Sequence, residues 1–127
     1  MEKTMAPLLD YTDKRVVVTG AATGVGAALL EVLAENGAPD VTVLDIKAPT
    51  GPHSTFLQTD LSNRDELDAA AFQISGPIDT LFNNAGVADT LPPQVVFGVN
   101  VLAPIRLTSA LLPSLRQGGA VVNTASI

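Results

Sequence analysis

The 127-residue sequence contains no cysteine and no tryptophan, only one histidine, and few aromatic residues. Without cysteine, the chain can form no disulfide framework, zinc–thiolate site or thiol nucleophile. The single histidine, His53, lies in a Gly/Pro turn with no second ligand nearby, so a metal site is not expected. Thirteen acidic residues outnumber seven basic ones, and the formal charge of −6 disfavours nucleic acid as a partner.

The sequence also predicts no membrane association. The N-terminal residues MEKTMAPLLDYTDK contain no uninterrupted apolar stretch of the signal-peptide type. No stretch approaches the roughly 20 apolar residues that a membrane span requires. We therefore expect no membrane partner and a cytoplasmic location.

Short β-branched runs alternate with longer Ala/Leu-rich segments, a pattern typical of βαβ units in a single domain over residues 1–127. The strands are apolar throughout rather than alternating, which indicates an α/β fold with a doubly wound parallel sheet covered on both faces. Ser62 is the predicted N-cap of the second helix. The predicted strands cover about 16–19, 41–44, 55–57, 78–82 and 120–124, and the predicted helices about 24–36, 62–74 and 93–116.

A glycine-rich loop joins the first predicted strand to the first predicted helix. Gly20 permits a tight turn, Gly24 lets the backbone approach a pyrophosphate, and Gly26 lets the helix pack closely on the strand. The N–H groups that open the helix supply donors and positive potential for phosphates. This context predicts nucleotide binding, whereas the alternative is a glycine turn that serves only a sharp chain reversal.

Asp45 ends the second predicted strand, close to the roughly 20 residues past the glycine loop at which a carboxylate reaches an adenosine ribose. A 2′-phosphate would be repelled there, and neither Ala22 nor Thr23 brings a cation into the loop. NAD is therefore favoured over NADP, although Lys47 argues the other way. The alternative for Asp45 is a solvated acid in a turn.

These motifs together resemble the short-chain dehydrogenase/reductase family. Its TGxxxGxG loop is matched by residues 19–26, its NNAG motif by residues 83–86, and its Asp–apolar pair by Asp60 and Leu61. The resemblance implies a Rossmann-type sheet of strand order 3-2-1-4-5, with the cofactor at the switch between strands one and four. The implied cofactor contacts are Gly20, Thr23, Gly24, Val25, Gly26, Asp45, Ile46, Asp60, Leu61, Asn83, Ala85 and Gly86.

The resemblance also implies catalytic roles for Asn100, in the long helix, and Ser126, at the end of the fifth strand. It implies hydride transfer between a nicotinamide cofactor and a secondary alcohol or ketone. The family's YxxxK acid/base pair has no match in this chain, because the only tyrosine, Tyr11, precedes the first strand. We therefore expect a truncated cofactor-binding part that is inactive alone. The alternative is a non-catalytic NAD-binding or interaction module of native short length.

Two finer expectations concern the third helix and the residues after it. Pro104 has no N–H, so the carbonyl of Asn100 loses its helical partner, which predicts a kink and a carbonyl satisfied by an ordered water. The stretch LLPSLRQGGAVVNTAS is similar to bacterial 3-alpha-hydroxysteroid and coniferyl-alcohol-type dehydrogenases.

The third helix also carries an apolar stripe, for which two explanations stay open. The stripe is a face for a second subunit in a homo-oligomer, a dimer or tetramer, or it is ordinary core packing. Its members are Val95, Val99, Leu102, Arg106 and Leu107.

Overall fold

A computed structural model describes residues 9–125 of the chain. Its strands are β1 (Arg15–Thr19), β2 (Asp40–Asp45), β3 (Thr55–Gln58), β4 (Ile78–Asn83) and β5 (Leu115–Asn123). They form one sheet of order β3-β2-β1-β4-β5 in which every neighbouring pair is parallel. The predicted doubly wound α/β class and strand order are thus confirmed. The order reverses between β1 and β4, where such folds open a crevice at the carboxyl ends of the strands.

Helices cover both faces of this sheet. They are α1 (Gly24–Glu35), α2 (Arg64–Gln73), α3 (Pro93–Phe97) and α4 (Ala103–Leu111). A π-helical turn, Gly98–Leu102, joins α3 to α4, and a 3₁₀ turn, Leu112–Ser114, follows α4. Because both faces are covered, side chains on both faces of the central strands are buried and most of them are apolar; the buried polar ones include Thr42 and Asp79.

Two apolar cores result from this layering. On one face, Leu30 and Leu33 of α1 pack with Val16 and Val18 of β1. On the other face, the buried side chains of α2 and α4 pack with the alternate strand positions. The second core includes Val17, Leu67, Leu81, Val99, Leu107 and Leu111. Val99 and Leu107 are buried and Val95 packs beside them, so core packing accounts for this part of the predicted stripe.

The predicted N-cap of α2 was wrong by one residue. Asn63 caps the helix, because its Oδ1 accepts the N–H groups of Asp65 at 3.0 Å and Glu66 at 3.2 Å. Ser62 is instead held by Asp60, whose Oδ1 accepts the Ser62 N–H at 2.9 Å and its hydroxyl at 2.6 Å. Both residue types are good caps, and the local turn made by Asp60 decides between them.

The predicted boundary between the third helix and the fifth strand was also wrong. Helix α4 ends at Leu111 rather than at Arg116, and β5 already begins at Leu115. Between the pairs Ile78–Leu115 and Thr80–Ala120, β5 contains more residues than β4, so the register shifts there. Gly118 lies in this irregular segment with φ 83°. The predicted Gly118–Gly119 break is therefore a bulge inside the strand.

One helical stretch of the described residues, Pro93–Ser114, is long and apolar enough to cross a membrane by length and composition alone. The expectation that no stretch would reach this length was therefore wrong. The stretch contains three prolines and a π-helical turn, and its inner side chains Leu107 and Leu111 are buried against the sheet. One side of the stretch thus belongs to the core, whereas Ile105 and Leu112 on its other side are exposed.

Candidate cofactor site

A cavity of about 400 Å³ opens at the carboxyl ends of β1, β2 and β4, at the switch in strand order. It lies where the sequence predicted a dinucleotide. Most of the predicted cofactor contacts line it, with Gly26 and Asn83 as the exceptions. The predicted residues that line it are Gly20, Thr23, Gly24, Val25, Asp45, Ile46, Asp60, Leu61, Ala85 and Gly86.

The three glycines of the loop have separate roles. Gly20 has φ 72°, and a Cβ there would lie 2.5 Å from the Ala85 Cα. Gly24 has φ 60°, and no atom of residues 9–125 lies within 4 Å of the position a Cβ would take, so the cavity wall there is bare backbone. A Cβ on Gly26 would overlap the Gly20 carbonyl oxygen, so α1 can pack this closely against the loop only with glycine at position 26. This arrangement has the features expected of a phosphate-binding turn.

The amino end of α1 faces the same cavity. Thr23 occupies its N-cap position with φ −143°, and within residues 9–125 its side chain makes no capping hydrogen bond. The N–H groups of the first helical turn have no partner inside the helix. They are therefore available, with the positive end of the helix dipole, to an anionic ligand.

Asp45 points toward the glycine loop. Its Oδ2 accepts the Ala22 N–H at 3.0 Å, and its Oδ1 accepts the Lys47 N–H at 3.3 Å. A carboxylate offers about four acceptor positions, so both oxygens keep capacity for the hydroxyls of a sugar. The two backbone contacts hold the carboxylate at the cavity rim, where a ribose diol would meet it.

The opposite wall of the cavity follows β3. Leu61 is buried in the core and presents an apolar surface to the cavity, and Asp60 is fixed by its contacts with Ser62. Thr59 also lines this wall, although the sequence analysis did not select it. Its hydroxyl donates to the Leu57 carbonyl at 2.9 Å, so its role there is to hold the backbone turn.

The two asparagines of the NNAG motif have different hydrogen-bond partners. Asn83 is buried, its Nδ2 donates to Thr108 Oγ1 at 3.1 Å and to Asn123 Oδ1 at 3.0 Å, and it lines the neighbouring second cavity rather than this one. Asn84 lines the cavity, and its Nδ2 donates to the Gly20 carbonyl at 3.0 Å. Asn83 as a cofactor contact stays a prediction, and the sequence analysis did not select Asn84, since strand parity becomes visible only once the strand end is known.

Thr19 joins this motif to β1. Its Oγ1 accepts the N–H groups of Asn84 at 3.1 Å and Ala85 at 3.0 Å. Both N–H groups follow the last residue of β4. Thr19, the first residue of the TGxxxGxG loop, therefore holds the turn at Asn84 and Ala85 that follows β4.

A second, larger cavity of about 990 Å³ adjoins the first beside β5 and α4. Asn100 lines it, and its side chain is engaged at both ends: Oδ1 accepts the Val87 N–H at 2.8 Å and Nδ2 donates to the Val87 carbonyl at 3.0 Å. This paired contact holds the segment after the NNAG motif, which lines both cavities. Asn100 is thus a positioning residue by its side chain.

The predicted kink at Pro104 takes the form of the π-helical turn. The Ala103 N–H donates to the Gly98 carbonyl, one residue further back than in an α-helix. The wider turn places the proline after it without the clash that an α-helix would impose. A water on the Asn100 carbonyl stays a prediction.

Two remaining sequence predictions concern tyrosine and serine. Tyr11 lies before β1 and packs beside the α1 core, and its N–H donates to the Asn36 carbonyl at 2.9 Å. It lines neither cavity described above, as expected. Ser126 lies outside the described residues, and Thr124 and Ala125 just before it line the second cavity.

Comparison with known proteins agrees with this geometry. The family model for short chain dehydrogenases matches residues 14–127. Coniferyl-alcohol dehydrogenase of Pseudomonas sp. strain HR199 is 40% identical over 119 residues, which cover 94% of this chain and 46% of that protein. The chain spans about half the length of the curated relatives it matches. It belongs to the short chain dehydrogenase family, a family of oxidoreductases.

Solved structures give the same result. A short chain dehydrogenase from Burkholderia cenocepacia in complex with NADP has a TM-score of 0.78 and 29% identity, over 93% of this chain and 55% of that one. A family oxidoreductase from Brucella ovis, in complex with a partially ordered NAD, has a TM-score of 0.66 and 26% identity, over 80% of this chain and 57% of that one. Both nicotinamide cofactors therefore occur among the structural relatives.

Proposed function

We propose that this protein is an NAD(H)-dependent oxidoreductase that transfers hydride between a nicotinamide and a secondary alcohol or ketone, with residues 9–125 forming its cofactor-binding part. The observation that carries the proposal is the cavity at the strand-order switch, with bare backbone at Gly24 on one side and the Asp45 carboxylate on the other. Phosphates need donors and a sugar diol needs acceptors, and the cavity supplies each at the predicted place.

The residues fit a dinucleotide in three parts. The first-turn N–H groups of α1 would hold the pyrophosphate, and Asp45 would hold the adenosine ribose. Ile46 and Leu61 offer apolar surface for a base, and Ala85 and Gly86 form the wall that leads toward the second cavity. When bound, the nicotinamide supplies the hydride acceptor or donor.

The preference for NAD rests on charge. A 2′-phosphate beside Asp45 would place two negative groups together at the cavity rim, where the carboxylate is already held by Ala22 and Lys47 N–H groups. Lys47 meets Asp45 through its backbone. The carboxylate is therefore the group that selects between the cofactors.

In the complete reaction, a hydroxyl at Ser126 would donate a hydrogen bond to the substrate oxygen and stabilise its developing negative charge. Asn100 would position the cavity wall through Val87. Proton transfer to or from that oxygen needs an acid/base group, and the family's YxxxK pair has no match in this chain. We therefore expect the 127-residue chain to bind the cofactor without turning over substrate.

Titration calorimetry with NAD and NADP tests the proposal. We expect NAD to bind the chain more tightly than NADP, and Asp45→Asn to reduce that preference by about tenfold or more, since it removes the repulsive charge and keeps the shape. Lys47→Gln is the matched control and should leave the preference nearly unchanged. Absence of binding by either cofactor, or an unchanged preference in Asp45→Asn, would contradict the proposal.

A second candidate function is a non-catalytic NAD-binding module. A mass measurement of the cellular protein, together with the full coding sequence, separates the two functions. A continuation that contains YxxxK supports the dehydrogenase, and a stop codon after Ile127 supports the module.

We further propose a cytoplasmic homo-oligomer, a dimer or tetramer, with a small alcohol or ketone as the substrate. Large exposed apolar side chains between Pro93 and Ser114 support the assembly, since exposed apolar surface marks contact sites. They include Phe97, Val101, Ile105 and Leu112. Light scattering coupled to size exclusion tests the state, and a strictly monomeric protein would contradict it.

A further inference from the structure

The end of β5 is linked to the glycine loop by two consecutive side-chain hydrogen bonds. Thr124 Oγ1 lies 3.1 Å from Asn84 Oδ1, and Asn84 Nδ2 lies 3.0 Å from the Gly20 carbonyl oxygen. A carbonyl oxygen only accepts, so the amide must turn its Nδ2 toward Gly20 and its Oδ1 toward Thr124. The Thr124 hydroxyl is therefore a donor in this link and keeps its lone pairs for other groups.

The surrounding backbone is held independently of this link. The Thr124 N–H donates to the Asn83 carbonyl at 3.0 Å, and Thr19 Oγ1 accepts the N–H groups of Asn84 and Ala85. The Thr124 side chain is exposed and carries no core packing. Loss of its hydroxyl would therefore remove one of the two side-chain hydrogen bonds of the Asn84 amide without unfolding the strand end.

The orientation of the Asn84 amide acts on the Gly20 carbonyl, which accepts its Nδ2 hydrogen bond. Gly26 passes so close to that carbonyl that even a Cβ would overlap it, so the carbonyl direction and the position of α1 are coupled. The terminal torsion of an asparagine is broad, and Thr124 supplies the second of the two hydrogen bonds that restrain it. Thr124 also lines both cavities, at the boundary between them.

We infer that Thr124 is a positioning residue for the cofactor cavity, acting through the Asn84 amide on the Gly20 carbonyl and so joining the glycine loop to the strand end that precedes Ser126. The inference rests on the proposed function, because its ligand is the nicotinamide dinucleotide. It adds Thr124 to the residues of that function; Thr124 belongs neither to the glycine loop nor to the predicted cofactor contacts.

The test compares Thr124→Val, which removes the hydroxyl at nearly equal volume, with Thr124→Ser, which keeps it. The affinity of the 127-residue chain for NAD is measured by titration calorimetry. We expect Thr124→Val to raise the Kd about threefold to tenfold, the range for loss of one hydrogen bond, and Thr124→Ser to stay within about twofold. An equal Kd in wild type and Thr124→Val, or an equal loss in both variants, would overturn the inference.

A second measurement does not depend on the ligand. In amide NMR spectra of the free protein, Thr124→Val should shift the Asn84 side-chain NH₂ and the Ala21 backbone N–H, and Thr124→Ser should leave both near their wild-type positions. Unmoved signals in Thr124→Val overturn the link even where NAD fails to bind. Failure of wild type to bind NAD and NADP, with the signals moving as expected, overturns the proposed function and leaves the link standing.

Discussion

The two sides of the site are built differently. The glycine loop and Asp45 follow β1 and β2, whose side chains are almost entirely buried and whose strands have neighbours on both sides. The second cavity rests on β5, which has only β4 beside it within residues 9–125 and is exposed along most of its length. The comparison teaches that the glycine loop and Asp45 follow strands paired on both sides, whereas the second cavity follows a strand paired on one side within the described residues.

Helix α4 shows a similar contrast between a buried and an exposed side chain. Truncating the buried one is expected to give the largest loss of stability. Leu107 is 1% exposed in the core, whereas Ile105 is 61% exposed beside the second cavity. We expect Leu107→Ala to lower the free energy of unfolding by about 2–5 kcal/mol, because it leaves a cavity. Ile105→Ala should cost less than about 0.5 kcal/mol. Urea denaturation measures both, and similar losses would break the contrast between the buried and the exposed side chain.

Whether the glycine loop, residues 19–26, can adapt its backbone is tested at Gly26. A Cβ at Gly26 meets backbone, which no side-chain movement relieves, so Gly26→Ala should destabilise the fold by about 1–3 kcal/mol and weaken NAD binding more than tenfold. Gly51→Ala is the matched control, since its Cβ would reach only ordinary contact with Leu30. Thermal unfolding and calorimetry report the two effects. A Gly26→Ala protein that binds like wild type would show that the loop adapts.

The smallest effect on stability is expected at the exposed edge. Val122 on β5 is 42% exposed, and exposed strand edges favour pairing between chains. Val122→Lys should change the free energy of unfolding by no more than about 0.5 kcal/mol and reduce self-association at high concentration. Thr42→Lys, on the buried strand β2, is the opposite control and should prevent folding. Static light scattering checks the first expectation; greater self-association in Val122→Lys would contradict it.

Much of the site could be predicted because its signals are local. Gly20, Gly24 and Asp45 lie at strand ends, where a turn requirement or a spacing is visible in the sequence itself. Side-chain parity was harder to predict. Asn83 and Asn84 are adjacent and chemically identical, and the end of β4 decides which of them enters the core.

The fifth strand shows what else was missed. Its first residues, 115–119, contain no β-branched residue that would predict a strand. They lie beside Asp79, a residue distant in the sequence. Asp79 of β4 accepts the Arg15 N–H at 2.8 Å and pairs with Arg116 at 3.3 Å. These three residues are far apart in the chain, so their association depends on the sheet.

The amino-acid sequence alone determined the alternation of strands and helices, the covered parallel sheet, the glycine turn and the acidic residue that follows β2, since each depends on periodicity or short spacing. Only the tertiary structure decided which asparagine faces the cavity, where Asn100 directs its amide, and that Thr124 reaches the Gly20 loop through Asn84. These contacts join residues far apart in the chain, and their directions depend on strand register, which forms when the sheet assembles.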